Sequence, residues 1–322
     1  MRKVPIIAKV ILNDEQLKHK LELGCDGMEL QLYEELYAGE GTSNVKPWGS
    51  VVNIHQLSKY PIVSVHMPLR KQGLDVMLEY LLNPLMQRQF ENVCSLANAI
   101  GHNRQCSILV VLHSEANHGT LLSMGILEPI ALYIRDILRR YPNIEIGIEN
   151  LMPIFSMGES GYTLSNDCGF SSISIAKYLR TKLGTHRVGT VLDTCHAVSA
   201  SRTIVAIEKM LDGDQTRGSL DILFGLMNSS DNVCKEIHLA NAYGFGIKKE
   251  SHGTPFVTAE DEALLHNILD LYKVNKMKCP ICIEIQEKDY TNCVSYAATK
   301  KQIENYFKTA SPAEPVNESV LK

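Results

Sequence analysis

The stretch RVGTVLDTCHAVSAS, Arg187–Ser201, decides how this chain folds. Val188, Val191 and Leu192 make a short β-branched and aliphatic run, the pattern of a strand buried on both faces of a parallel sheet. The run stops at Asp193, and Cys195 and His196 follow at once. A buried strand that ends on an acid, a thiol and an imidazole carries chemistry to its carboxyl end.

Working outward, the same apolar run recurs along the chain and alternates with longer amphipathic segments, which is the signature of repeated βα units around a parallel sheet. The expected strands are Val4–Ile11, Gly27–Leu32, Ile62–His66, Ser107–His113, Ile144–Glu149, Val188–Asp193, Lys235–Leu239 and Ile281–Ile285. The helices expected after them are Asp14–Leu23, Val52–Lys59, Glu79–Ile100, Leu121–Arg140, Ser171–Leu183, Ile204–Asn228, Ala259–Lys273 and Asn292–Lys308. Asn13 is placed to cap the first helix, and Thr258 with Asp261 reads as a capping box for the seventh. Eight strands, each followed by a helix, is the count of a (β/α)8 TIM barrel in a single domain. The barrel is expected over residues 1–309, with 310–322, rich in Pro, Ser and Glu, as a frayed tail.

Composition narrows the class of function. The 322 residues are 45% hydrophobic and 21% charged, ample for one large core, and the formal net charge of −4 argues against coating nucleic acid by bulk charge. No apolar run is long enough to cross a membrane, and the first residues turn polar too early for a signal peptide, so no membrane partner and a cytoplasmic location are expected. Nine irregularly spaced cysteines fit reduced thiols. Cys279 and Cys282 read as structural thiols in a strand context, and Cys195 stands apart as the thiol between a strand-end acid and an imidazole.

In a barrel the carboxyl ends of the strands face one site. Here they carry His66, His113, Glu149, Asp193, His238 and Glu284, with His196 just beyond Asp193, while the glycine-containing loop NAYGFGIKKESHGTPF adds Glu250 and His252. Packed together without metal, such acids would repel and their charges would cost several kcal/mol each to bury. Carboxylate and neutral imidazole are the ligands that zinc and manganese accept. His19, His55, His102, His118, His186 and His266 lie in helical or loop contexts and are read as ordinary residues.

These residues carry a family likeness. RVGTVLDTCHAVSA resembles the D-T-C-H-A segment of endonuclease IV, the metal-dependent AP endonuclease family 2 of the xylose isomerase-like TIM barrels. LLNPLMQRQFENVCSLANAIG before VVLH, then IGIENLMP, KEIHLANA and ICIEIQ, follow in that family's order. The resemblance implies that Glu149 bridges two metals, that His66 and His113 complete the first site, that Asp193, His238 and Glu284 hold the second, and that His196, Glu250 and His252 hold a third. It implies two or three zinc ions, or manganese, with no organic cofactor, and hydrolysis of a phosphodiester in DNA at abasic sites, with Glu149 and Glu284 as the catalytic carboxylates. Arg70, Lys248 and Asn150 are the expected substrate contacts. The sequence departs from the family at HSEAN after the second histidine, at HLAN in the seventh strand and at ESH in the third site; the loop YEELYAGEGTSNVKPWGS is acidic where a DNA contact is basic.

The second strand, in GCDGMELQL, supports a competing reading. Glu29 after G-x-D-G resembles the start of sugar and sugar-phosphate isomerases and epimerases of the same superfamily, which use one metal. There Glu149, Asp193, His238 and Glu284 would hold the ion, and Glu149 and Glu284 would exchange a proton with the carbon next to a carbonyl. The partner is then a small sugar or sugar phosphate instead of DNA.

Overall fold

The computed structural model describes residues 3–36, 45–68, 77–114, 124–151, 155–158, 161–164, 169–210, 221–230, 233–243, 251–287 and 292–309; for 34, 124, 155–158, 161–164, 204–210, 221, 243, 251 and 252 the description is of backbone alone. Eight parallel strands close into a barrel in chain order: β1 Ile6–Val10, β2 Gly27–Gln31, β3 Ile62–His66, β4 Ile108–His113, β5 Ile144–Glu149, β6 Val188–Asp193, β7 Cys234–Leu239 and β8 Ile281–Ile283. The seam closes by pairing β1 with β8, Ile6 opposite Ile281. Around it run α1 Asp14–Glu22, α2 Ile54–Leu57, α3 Pro84–Arg104, α4 Met124–Arg140, α5 Phe170–Leu183, α6 Thr194–Met210, α7 Asp221–Ser229, α8 Ala259–Val274 and α9 Val294–Thr309. None of the described helices is long and apolar enough to cross a membrane.

Side chains alternate across each strand. Ile6, Ala8 and Val10 of β1, Ile108, Val110 and Leu112 of β4, and Ile144, Ile146 and Ile148 of β5 all pack outward into the main apolar core under the helices. The intervening residues face the barrel interior, where Leu109, Val111 and Val191 form a separate small apolar cluster. Gly147 makes room for it, since a Cβ there would lie 2.6 Å from Val191 Cγ2. Alternation in a strand therefore decides which residue reaches the site.

The expected elements appear with shifted ends. Asn13 caps α1 by accepting from Gln16 N, and Thr258 with Asp261 forms the capping box of α8. The third helix starts later than expected, because Asn83 caps it and Pro84 takes the first position, where no backbone N–H is missed. Of the helix expected over Ile204–Asn228, α6 covers the first residues to Met210 and α7 the last from Asp221, and residues 211–220 lie outside the described set. The helix α6 begins directly at Thr194, so Cys195 and His196 stand in its first turn. Two antiparallel hairpins were not foreseen: Phe155–Gly158 with Gly161–Leu164 after β5, and Asn241–Tyr243 with Ser251–Thr254 after β7. The proposed tail, 310–322, lies outside the described residues.

Candidate metal centre

The carboxyl ends of the strands bring the expected side chains together. His66 ends β3, and its Nε2 lies 2.9 Å from Glu149 Oε2; His113, ending β4, approaches the same oxygen at 3.5 Å. The other oxygen of Glu149 lies 3.2 Å from Nδ1 of His238, a nitrogen that also meets Glu284 Oε2 at 2.8 Å. Ligand atoms of His66, His113 and Glu149 form one group within 4.8 Å, and those of Glu149, Asp193, His238 and Glu284 form another. Glu149 belongs to both.

The D-T-C-H segment places its residues by helix-capping chemistry. Asp193 Oδ1 accepts from the backbone N–H of Cys195 at 2.7 Å and of His196 at 3.1 Å, satisfying two orphan donors at the start of α6. Its Oδ2 lies 3.3 Å from His196 Nδ1, and that nitrogen is 2.7 Å from the Asn150 carbonyl. Asn150 spends its own amide on the backbone of Asp193, donating to its carbonyl and accepting from its N–H. The side chain expected to touch substrate thus ties β5 to β6. Thr194 Oγ1 donates to the Ala240 carbonyl and ties β6 to the end of β7. Cys195 is buried, and burial first, then Asp193, pushes its thiol well above the ordinary range, which fits packing and not nucleophilic attack.

Below the mouth the interior holds a charged layer. Glu29 of β2 and Glu236 of β7 are fully buried and converge on Nε2 of His238, at 2.9 and 3.3 Å. Lys9 enters from β1, with Nζ 3.1 Å from Glu29 Oε1 and 2.5 Å from Glu284 Oε1. Ser64 donates to Glu236, and Cys282 completes a group with Glu29, Glu236 and His238. Of this layer the sequence pointed to Glu29 and did not single out Lys9 or Glu236. The strand alternation that sends His238 inward also sends Glu236 inward, so the signal for Glu236 was present in KEIHL.

Electrostatics separates these groups. Burial opposes the charge on Glu149, yet His238, His113 and hydrogen bonds from His238 and His66 outweigh it and hold the carboxyl well below its usual range. Burial likewise opposes the ammonium of Lys9, and Glu284, Glu29 and Glu149 reverse the effect. His238 is raised well above its usual value because Glu29, Glu149 and Glu284 outweigh its burial. His113 goes the other way: burial pushes it down to about 3 against the pull of Glu149. Glu236 is raised to about 7 by burial and by Glu29, with His238 and Ser64 opposing.

A divalent ion fits this donor set. A neutral imidazole has one N–H and one lone pair. His66 sets Nδ1 2.9 Å from the Met67 carbonyl and Nε2 against Glu149, and His238 sets both nitrogens against carboxylates. Each ring therefore needs a second proton or a cation between nitrogen and oxygen. Five carboxylates, from Glu29, Glu149, Asp193, Glu236 and Glu284, meet one lysine, Lys9, among the described residues. The surplus of negative charge and the mixed oxygen and nitrogen donors suit zinc or manganese. Glu250, Lys248 and Arg70 lie outside the described residues, and His252 is described only by its backbone, on the strand Ser251–Thr254 beside Ala242.

Similar arrangements of strands and helices occur among solved structures. A xylose isomerase domain protein from Planctomyces limnophilus superposes with a TM-score of 0.57 at 9% identity, covering 96% of this chain and 98% of that one. The shared fold is the (β/α)8 TIM barrel. Another such barrel, from Mycobacterium smegmatis in complex with magnesium, gives a TM-score of 0.50 at 10% identity over 95% of this chain and 97% of that one. The probable 3-DHS dehydratase AsbF from Bacillus anthracis, involved in petrobactin synthesis, gives 0.51 at 12% identity over 93% and 98%. No family model and no curated protein matches the sequence.

Proposed function

We propose that the barrel mouth is a divalent-metal centre that hydrolyses a phosphodiester, with DNA at an abasic site as the first substrate to test. The observation that carries this reading is the sharing of Glu149 between two donor groups, one made with His66 and His113 and the other with Asp193, His238 and Glu284. A bridging carboxylate between two ligand sets suits a pair of ions. Bound there, the metals would supply Lewis acidity toward the phosphate and lower the pKa of an attacking water.

The protein's own groups do the rest. Glu149 stays ionised and available to both ligand sets. His113, held neutral, presents a lone pair in the range where ligands must be unprotonated. Asp193 and the Asn150 carbonyl fix the ring of His196 at the rim. Glu250 and His252 are kept in the proposal as the remaining third-site ligands on the sequence resemblance alone, and Arg70 and Lys248 as phosphate contacts on their charge.

A second reading is favoured by a specific observation: Glu149, Asp193, His238 and Glu284 are sufficient to hold one ion, and Glu149 and Glu284 converge on the same nitrogen of His238. That pair could shuttle a proton on a sugar or sugar phosphate. The experiment is a paired assay of protein loaded with zinc or manganese. Strand cleavage of a duplex carrying an abasic site, lost in Glu149→Gln, supports the hydrolase. Absence of cleavage together with metal-dependent incorporation of solvent deuterium into a ketose moves the assignment to the isomerase.

A further inference from the structure

Lys9 is not used by either reading above, yet it sits where a cation matters most. It projects from the middle of β1 into the interior, its side chain 14% exposed, 2.5 Å from one oxygen of Glu284. The other oxygen of Glu284 faces His238 Nδ1, His238 Nε2 faces Glu29, and the second oxygen of Glu29 returns to Lys9 at 3.1 Å. Lys9, Glu284, His238 and Glu29 therefore close a ring across β1, the residue that follows β8, β7 and β2. The ammonium neutralises the same carboxylate that the four-ligand group would offer to a metal. The group of His66, His113 and Glu149 has no lysine within ion-pairing distance among the described residues.

We propose that Lys9 is a built-in counter-cation that weakens metal binding at Glu149, Asp193, His238 and Glu284 relative to His66, His113 and Glu149, so that the two sites load in order. The inference rests on the metal-centre reading. Two effects oppose each other on removing Lys9: Glu284 loses an anchor, and a positive charge next to the ion disappears. Coulomb interaction between charges a few ångströms apart in a buried site exceeds the net worth of one hydrogen bond, so the charge effect wins. Neutralising Lys9 should tighten the metal site, although an anchor is lost.

The test is calorimetric titration with Mn2+ alone, with the electron paramagnetic resonance of bound Mn2+ as a second readout, on wild type, Lys9→Met and Lys9→Arg. The expected result is that Lys9→Met tightens the weaker site by about tenfold or more and leaves the tighter site within about threefold, while Lys9→Arg, which keeps the charge, behaves as wild type. Unchanged or weaker binding in Lys9→Met overturns the proposal. If Lys9→Met does not fold, Lys9→Gln is read by the rise in melting temperature that Mn2+ produces, which must exceed that of wild type. Binding lost in Glu149→Gln but untouched by Lys9→Met refutes this inference alone; no Mn2+ bound by any of these proteins refutes the metal centre and this inference with it.

Discussion

The two halves of the barrel interior are built on different principles. Under the mouth on the side of β4, β5 and β6, the floor is apolar: Leu109, Val111 and Val191 pack together, with Gly147 left small to admit Val191. On the side of β7, β8, β1 and β2 the corresponding depth holds Glu236, Cys282, Lys9 and Glu29. His113 and Glu149 thus stand on hydrocarbon, whereas His238 stands on two carboxylates. The difference shows in protonation: burial strips the proton from His113, whereas Glu29, together with Glu149 and Glu284 above it, holds one on His238. One fold presents a neutral imidazole and a cationic one to the same carboxylate.

Substitutions sharpen that contrast, beginning with the residue common to both halves. Glu149→Gln should reduce metal-dependent turnover by roughly a hundred- to a thousandfold, measured as kcat on whichever substrate is established. Leu109→Ala should cost about 2–5 kcal/mol by urea denaturation, because the apolar floor leaves a cavity when truncated. A cost under about 1 kcal/mol would mean that this floor is not close-packed.

Acid stability of the metal-free protein tests His113. Its folded value, about 3, lies below the ordinary imidazole value, so between the two the unfolded chain binds a proton that the folded chain refuses. Stability is present above the ordinary value and falls as pH drops through that window, by on the order of 1.4 kcal/mol per pH unit at most. His113→Leu should flatten the slope; an unchanged slope would exclude His113 as its source.

Glu236→Gln should have the smallest effect. With its folded value raised to about 7, the carboxyl holds a proton that the unfolded chain has lost above the ordinary carboxylate value, so its contribution is present at low pH and lost as pH rises through 7. The amide mimics the protonated acid. Melting temperatures should match wild type near pH 5 and exceed it above pH 8, and a large loss at pH 5 would contradict the protonated state.

The two halves were also unequally legible in the sequence. The strand-end residues could be read because a buried run that stops on Asp193 or His66 has no other use for the polar group, and because strands of one barrel share an end. Lys9 could not. In IIAKV it looks like the solvated member of an alternating strand, and its partner Glu284 is 275 residues away, brought beside it only when β1 pairs with β8. The role of Asn150 was invisible for a related reason: its partners are backbone groups of Asp193, and backbone leaves no trace in residue identity.

The central claim is that Glu149 joins two metal sites, and metal content per chain tests it most directly. Protein saturated with Mn2+, then freed of unbound ion and analysed for metal, should carry at least two ions in the wild type and lose both in Glu149→Gln. Full metal content in the variant, or none in the wild type, would contradict it.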